Sequence, residues 1–126
     1  WGNIFPTVEH AYQWKKFSDT EIKNKIIHAK SSLLAWEISQ QYKNNTELLD
    51  KTFQKDEVME ELFRVKLTQH DDVKEILLKT NSLTIKKVHT EDGYWGTGEN
   101  GEGENKMGKL WMYLRDELTN SSQYSL

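Results

Sequence analysis

The chain has no cysteine and a single proline among its 126 residues. Without thiols there can be no disulfide, no thiolate metal site and no cysteine nucleophile, so packing must hold the core and other groups must carry any chemistry. Long apolar runs are also missing. None approaches the roughly 20 residues of a membrane span, and no signal-peptide pattern opens the chain, which gives a cytoplasmic expectation. An excess of positive charge is missing as well: the net charge is −3, so no basic footprint argues for generic nucleic-acid binding. What is present, 36% hydrophobic and 29% charged residues without a low-complexity tract, is a globular composition. A chain of this length buries roughly two-thirds of its unfolded surface, so one compact domain over residues 1–126 is expected. It begins at Trp1, already within a patterned segment.

Apolar spacing predicts helices along most of the length. Val8, Ala11, Tyr12 and Trp14 recur behind Pro6, predicting a helix over Thr7 to Phe17 with Glu9 and His10 in its first turn. Ser18-Asp19-Thr20-Glu21 has the form of a capping box, opening a second helix that continues through Ile22, Ile26 and Ala29. Leu33 to Ile38 suggest a third, closed by the turn-like KNNT at Lys43 to Thr46. A fourth spans about Lys55 to Gln69, and Asp71 and Asp72 are placed to cap a fifth. Only Ser82 to His89 has a strand pattern. Met107, Leu110, Trp111, Leu114 and Leu118 form the stripe of a last helix from about Lys106. The expected class is α+β, mainly helical, with little sheet.

Six of the seven glycines fall between Gly93 and Gly108, in and around YWGTGENGEGENKMGK. Glycines allow close backbone approach, and the free N–H groups of the following helix suit an anion, which together suggest a phosphate cradle. Glu99, Glu102 and Glu104 argue against it, and composition alone reads the segment as a mobile connection. Tyr94 and Trp95 point the other way, since adjacent aromatics either anchor a loop or offer a flat face to a planar ligand. Glu9 reads either as a helix-end charge favoured by the macrodipole or as a carboxylate for proton transfer or for opposing positive charge on a sugar. His10 is a proton carrier or a structural residue. Lys15, Lys16, Lys106 and Lys109 are solvated charges or phosphate partners. His28, His70 and His89 share no metal-ligand spacing with His10, so no metal and no cofactor are expected. Walker, dinucleotide-fold and nucleophile-elbow patterns are absent.

With these residues set out, the chain resembles the NADAR superfamily, which includes the riboflavin-intermediate N-glycosidases. The resemblance rests on PTVEHAYQWKKF (Pro6 to Phe17), VMEELFRVKLTQH (Val58 to His70) and DGYWGTGENGEGENKMGKLWMYLRDEL (Asp92 to Leu118). It implies a mainly helical α+β fold and a hydrolase that cleaves the bond between a ribosyl carbon and a nitrogen. The implied substrates are phosphoribosylated pyrimidine intermediates of riboflavin synthesis or ADP-ribosyl compounds, including ADP-ribosylated guanine in nucleic acid. The family's glutamate falls on Glu9 as catalytic carboxylate. Its binding residues fall on Lys16, Asp92, Trp95 and Asn105, with Tyr94, Gly96 and Lys109 beside them: Trp95 to stack on a ring, Asp92 and Asn105 to hold the ribose, Lys16 or Lys109 to meet a phosphate, and the last helix start to supply backbone donors. Members of the family commonly have a strand segment ahead of the glutamate helix, and this chain is expected to lack it. Two other readings stand beside hydrolysis: a non-catalytic module that binds ADP-ribose or a nucleotide, and an interaction domain using helix faces around Trp14, Trp36 and Trp111.

Overall fold

The computed structural model describes residues 1–124, of which 121–124 are described by their backbone alone. Six α-helices follow one another: α1 (Val8–Lys15), α2 (Thr20–Ile27), α3 (Ser32–Gln41), α4 (Lys55–Gln69), α5 (Asp71–Lys79) and α6 (Lys106–Tyr124), with a short 3-10 turn at Thr46–Leu48. The fold is mostly helical, as expected. The sheet half of the α+β expectation has little counterpart: among the described residues the only β pairing is an isolated antiparallel bridge between Phe17 and Leu49. Among the described residues no helix is long and apolar enough to cross a membrane.

The chain divides after Lys66 into two compact units. In the first, α1, α2 and α3 pack against one another around buried Phe17, Ile22, Ile26 and Ala35, with Trp14, Ile38, Tyr42, Leu48 and Leu49 packed on that cluster. Phe17 has no exposed surface, and burying such a side chain contributes about 1.5–3 kcal/mol. Side-chain caps define the three helix starts: the Thr7 hydroxyl accepts from the His10 N–H at 3.1 Å, the Asp19 carboxylate from Ile22 at 3.0 Å and the Ser31 hydroxyl from Leu34 at 3.1 Å. Each such cap typically contributes about 1 kcal/mol. The capping box expected from Ser18 to Glu21 is therefore replaced by a simple cap at Asp19, because Ser18 donates both its N–H (2.9 Å) and its hydroxyl (3.3 Å) to the Leu48 carbonyl beside the Phe17–Leu49 bridge. On α3, Leu33, Leu34 and Trp36 remain exposed.

In the second unit α5 packs against α6, with Leu77 and Leu114 buried. Asp71 and Asp72 lie in the first turn of α5, while the cap position is held by His70, one residue earlier than expected. Arg115, buried on α6, donates from Nη1 to the Leu83 carbonyl (2.7 Å) and to the Thr80 hydroxyl (2.9 Å), tying down the chain as it leaves α5. The predicted strand at residues 82–89 is an irregular segment. Groups that would pair it into a ladder are bonded elsewhere: to the Asn105 side chain, to the glycine-rich loop and, for the Ile85 N–H, to the Met112 sulfur at 3.5 Å.

Candidate active site

One face of the first helix gathers acid, amide and base. Glu9, Gln13 and Lys16 are spaced four and three residues apart, the interval that brings side chains above one another on a helix. Half-buried Glu9 accepts a hydrogen bond at Oε1 from Gln13 Nε2, 2.7 Å away. Gln13 is only 2% exposed, and its Oε1 has no hydrogen-bond partner among the described residues. Lys16, just past the end of α1, lies with its ammonium 4.8 Å from the centre of the Tyr12 ring. Burial holds Lys16 below the usual lysine range; the Glu9 carboxylate pulls it up and Lys55 pushes it down. Tyr12 in turn meets Phe53 edge-on, ring centres 5.4 Å apart.

His10 resolves to a structural role. It is 1% exposed, and both ring nitrogens are engaged: Nε2 donates to the Ala29 carbonyl at 2.9 Å, and Nδ1 shares a hydrogen bond with the Thr7 hydroxyl at 2.7 Å. The ring therefore ties α1 to the chain beyond α2, and both its positions are in use.

In the second unit the glycine-rich segment forms a hydrogen-bonded knot. Thr97 donates to the Lys87 carbonyl (2.9 Å), Gly98 to His89 (3.0 Å), Gly103 to Thr97 (2.6 Å) and Glu104 to Gly93 (2.7 Å). The mobile-connection reading fails for this backbone. Asn105 is 8% exposed with φ of 50°, a left-handed conformation that asparagine tolerates. Its amide acts as a surrogate strand partner: Nδ2 donates to the Ile85 carbonyl and Oδ1 accepts from the Lys87 N–H, both at 2.9 Å. Here the expected strand is satisfied by a side chain instead of a neighbouring strand. Gly108 makes room for this, because a Cβ there would press on the Ile85 carbonyl and on the Asn105 amide.

The Asp92 carboxylate accepts from the N–H groups of Tyr94 (3.0 Å) and Trp95 (2.8 Å) with the same oxygen, closing the turn that carries the aromatic pair. Half-buried Tyr94 and Trp95 meet edge-on, 4.9 Å between centres, and the Lys106 ammonium lies 5.4 Å from the Tyr94 ring centre. Gly96 is buried, and a Cβ on it would come within 2.8 Å of the Lys87 carbonyl. Lys109 is exposed on α6. The expected backbone anion site at the start of α6 is corrected: the N–H groups of Asn105, Lys106 and Met107 donate to the carbonyls of Gly96, Tyr94 and Trp95 at 2.9–3.0 Å. Helix-start donors already paired to carbonyls are not available to a phosphate. Nor does the cleft of about 770 Å³ at the tip of the loop suit an anion, since Glu91, Glu99 and Glu102 line it.

The structure thus brings Glu9 and Lys16 together in the first unit. In the second it gathers Asp92, Tyr94, Trp95, Gly96 and Asn105 in one knot. Sequence reasoning missed Gln13, legible as the residue four positions after Glu9, and Lys55, whose proximity to Lys16 no local pattern signals. Among the described residues no group of three or more acidic or histidine side chains is placed to hold a metal ion.

Comparison with known proteins bears on the chain as a whole. The NADAR domain model matches residues 2–119. The N-glycosidase YbiA of Shigella flexneri is 37% identical over 119 residues, 93% of this chain and 72% of that protein. An N-glycosidase of Nostoc punctiforme is 32% identical, covering 90% of this chain and 74% of its own length. A riboflavin biosynthesis protein of Vibrio vulnificus is 31% identical over 99% of this chain, which spans 34% of that protein. The NMR structure of Escherichia coli YbiA superposes with a TM-score of 0.83 at 30% identity, over 99% of this chain and 74% of that one. Matched along nearly its whole length by the domain model and by these relatives, the chain belongs to the NADAR domain family.

Proposed function

We propose that this chain is a hydrolase that cleaves the N-glycosidic bond of a phosphoribosylated pyrimidine intermediate of riboflavin synthesis, with Glu9 as the catalytic carboxylate. The observation that carries the reading is the α1 face: a half-buried carboxylate held by an amide, with a desolvated lysine along the same stripe. The names of the relatives, N-glycosidases and riboflavin biosynthesis proteins, support the reaction class.

Cleaving a ribosyl C–N bond leaves positive charge on the sugar, and a nearby carboxylate lowers the energy of that state. In the proposed step Glu9 takes a proton from water as its oxygen bonds to the anomeric carbon. The C–N bond electrons leave with the nitrogen, which takes up a proton from solvent while Glu9 gives its proton back to solvent, and the products are the free pyrimidine and ribose phosphate. The step balances without a cofactor. Lys16 receives the phosphate, since a dianion offsets both its desolvation and the repulsion from Lys55. In the second unit, the half-buried Trp95 offers a flat face suited to a planar ring. Asp92 and Asn105 act chiefly as scaffold, because their polar atoms already bind backbone groups, Asp92 those of Tyr94 and Trp95 and Asn105 those of Ile85 and Lys87.

The test incubates the protein separately with the phosphoribosyl pyrimidine intermediates, ADP-ribosylated guanosine and an ADP-ribosyl peptide, and measures release of free base or ribose phosphate. Release from the pyrimidines, abolished by Glu9→Gln in a folded protein, is expected. Release from an ADP-ribosyl compound alone would replace the substrate assignment. Ligand binding without turnover on all three would replace the enzyme by a reader of ADP-ribose or nucleotides.

A further inference from the structure

We infer that Gln13 is a positioning residue for the Glu9 carboxylate, a role that rests on Glu9 being the catalytic group. Gln13 Nε2 donates to Glu9 Oε1 at 2.7 Å, one turn along the same helix. The chemistry fixes the amide's orientation, because a carboxylate oxygen accepts and only the NH2 end of the amide can donate to it.

Two observations set this pair apart from an ordinary surface contact between residues four apart. Gln13 is 2% exposed while Glu9 is only half-buried, so the amide is a fixed wall of the site and the carboxylate is its reachable face. Gln13 also keeps a buried carbonyl oxygen without a partner among the described residues. A buried unsatisfied acceptor costs stability, and an apolar side chain of similar volume would avoid that cost. A polar residue held at such a position, against the interest of the fold, is explained by what its other end does. With Oε1 bound to the amide, rotation of the carboxylate is checked and Oε2 is left for the attacking water. Sub-ångström placement of a reacting group of this kind is worth a substantial share of turnover.

A purely structural glutamine predicts the opposite pattern of effects. Gln13→Leu removes the donor and the orphaned carbonyl together. The proposal expects kcat to fall about ten- to hundredfold, the scale of losing control over one acid–base group, with KM within about twofold of the parent. The melting temperature should be unchanged or higher. In a Glu9→Gln background the same substitution should cost nothing further, since the group it positions is already gone. Gln13→Met, unbranched and of similar length, is the second variant should the leucine fail to fold.

A folded Gln13→Leu or Gln13→Met protein with near-parental kcat would overturn the inference while leaving the reading of Glu9 intact. Full turnover by Glu9→Gln would overturn both. Failure of both Gln13 variants to fold would show that the amide serves the fold, and would also overturn it.

Discussion

The two units use polar side chains in opposite ways. On the α1 face, Glu9 presents a carboxylate that is half open to solvent, and Lys16 keeps its ammonium near an aromatic ring and a second lysine. In the glycine-rich knot, the polar side chains that sequence patterns nominate for ligand binding are committed to backbone groups: Asp92 to two N–H donors, Asn105 to one donor and one acceptor. The knot also consumes the N–H groups at the start of α6. Conspicuous polar residues in a glycine-rich segment can therefore be scaffolding, with the aromatic pair they hold as the working surface. The proposed function assigns the chemistry to the helix face whose carboxylate is bound through one oxygen by an amide of the same helix.

The sharpest way to break this contrast is Glu9→Gln. Losing a catalytic carboxylate should lower kcat by about 10²–10⁴-fold, read by product release, with an unchanged circular dichroism spectrum. If the α1 face is instead scaffolding, turnover will survive.

Asn105→Ala should act on the fold before it acts on the chemistry. It strands the Ile85 carbonyl and the Lys87 N–H and forces alanine into a positive φ, a loss of about 2–4 kcal/mol in urea unfolding. Gly108→Ala should act on the same knot more weakly, costing about 1–3 kcal/mol as the new methyl group displaces the Asn105 amide. A variant at either position that keeps full stability while losing only substrate affinity would mark the knot as a direct binding site.

Lys16 carries a pH signature. Phosphate binding requires its charged form, so KM for a phosphorylated substrate should rise as alkaline pH passes through the lowered value, before an ordinary lysine would lose its proton. Lys16→Arg should remove that limb, and Lys16→Met should raise KM about tenfold at neutral pH while leaving kcat nearly unchanged. Folding stability should rise with pH between the lowered folded value and the usual unfolded one, because there the unfolded chain binds the additional proton. The smallest effect belongs to the loop tip. Glu102→Gln, at an exposed position, should leave stability within about 0.5 kcal/mol and turnover unchanged, showing that the tip lies outside both the scaffold and the chemistry.

Much of this was legible residue by residue. The apolar repeats located all six helices, since burial of one face imposes a period of 3.6 on the sequence. The span of α4 matched residue for residue, and the segments around Glu9 and Trp95 marked the family. Misplacements came where a local pattern had two solutions. Ser18 and Asp19 both suit a helix cap, and the Leu48 carbonyl, 30 residues away, decides between them. Residues 82–89 alternate like a strand, yet what pairs with them is the side chain of Asn105. Gln13 carried only its four-residue spacing from Glu9 as a signal, because an amide in an amphipathic helix is ordinary until its burial is known.

What the sequence by itself determined is therefore the helical framework and the identity of the groups that can do chemistry, both set by local spacing and residue type. Only the tertiary structure decided which of those groups remain available. Whether a carboxylate or an amide faces a substrate or a carbonyl depends on hydrogen-bond partners distant in sequence, and on whether burial forces those bonds to be made.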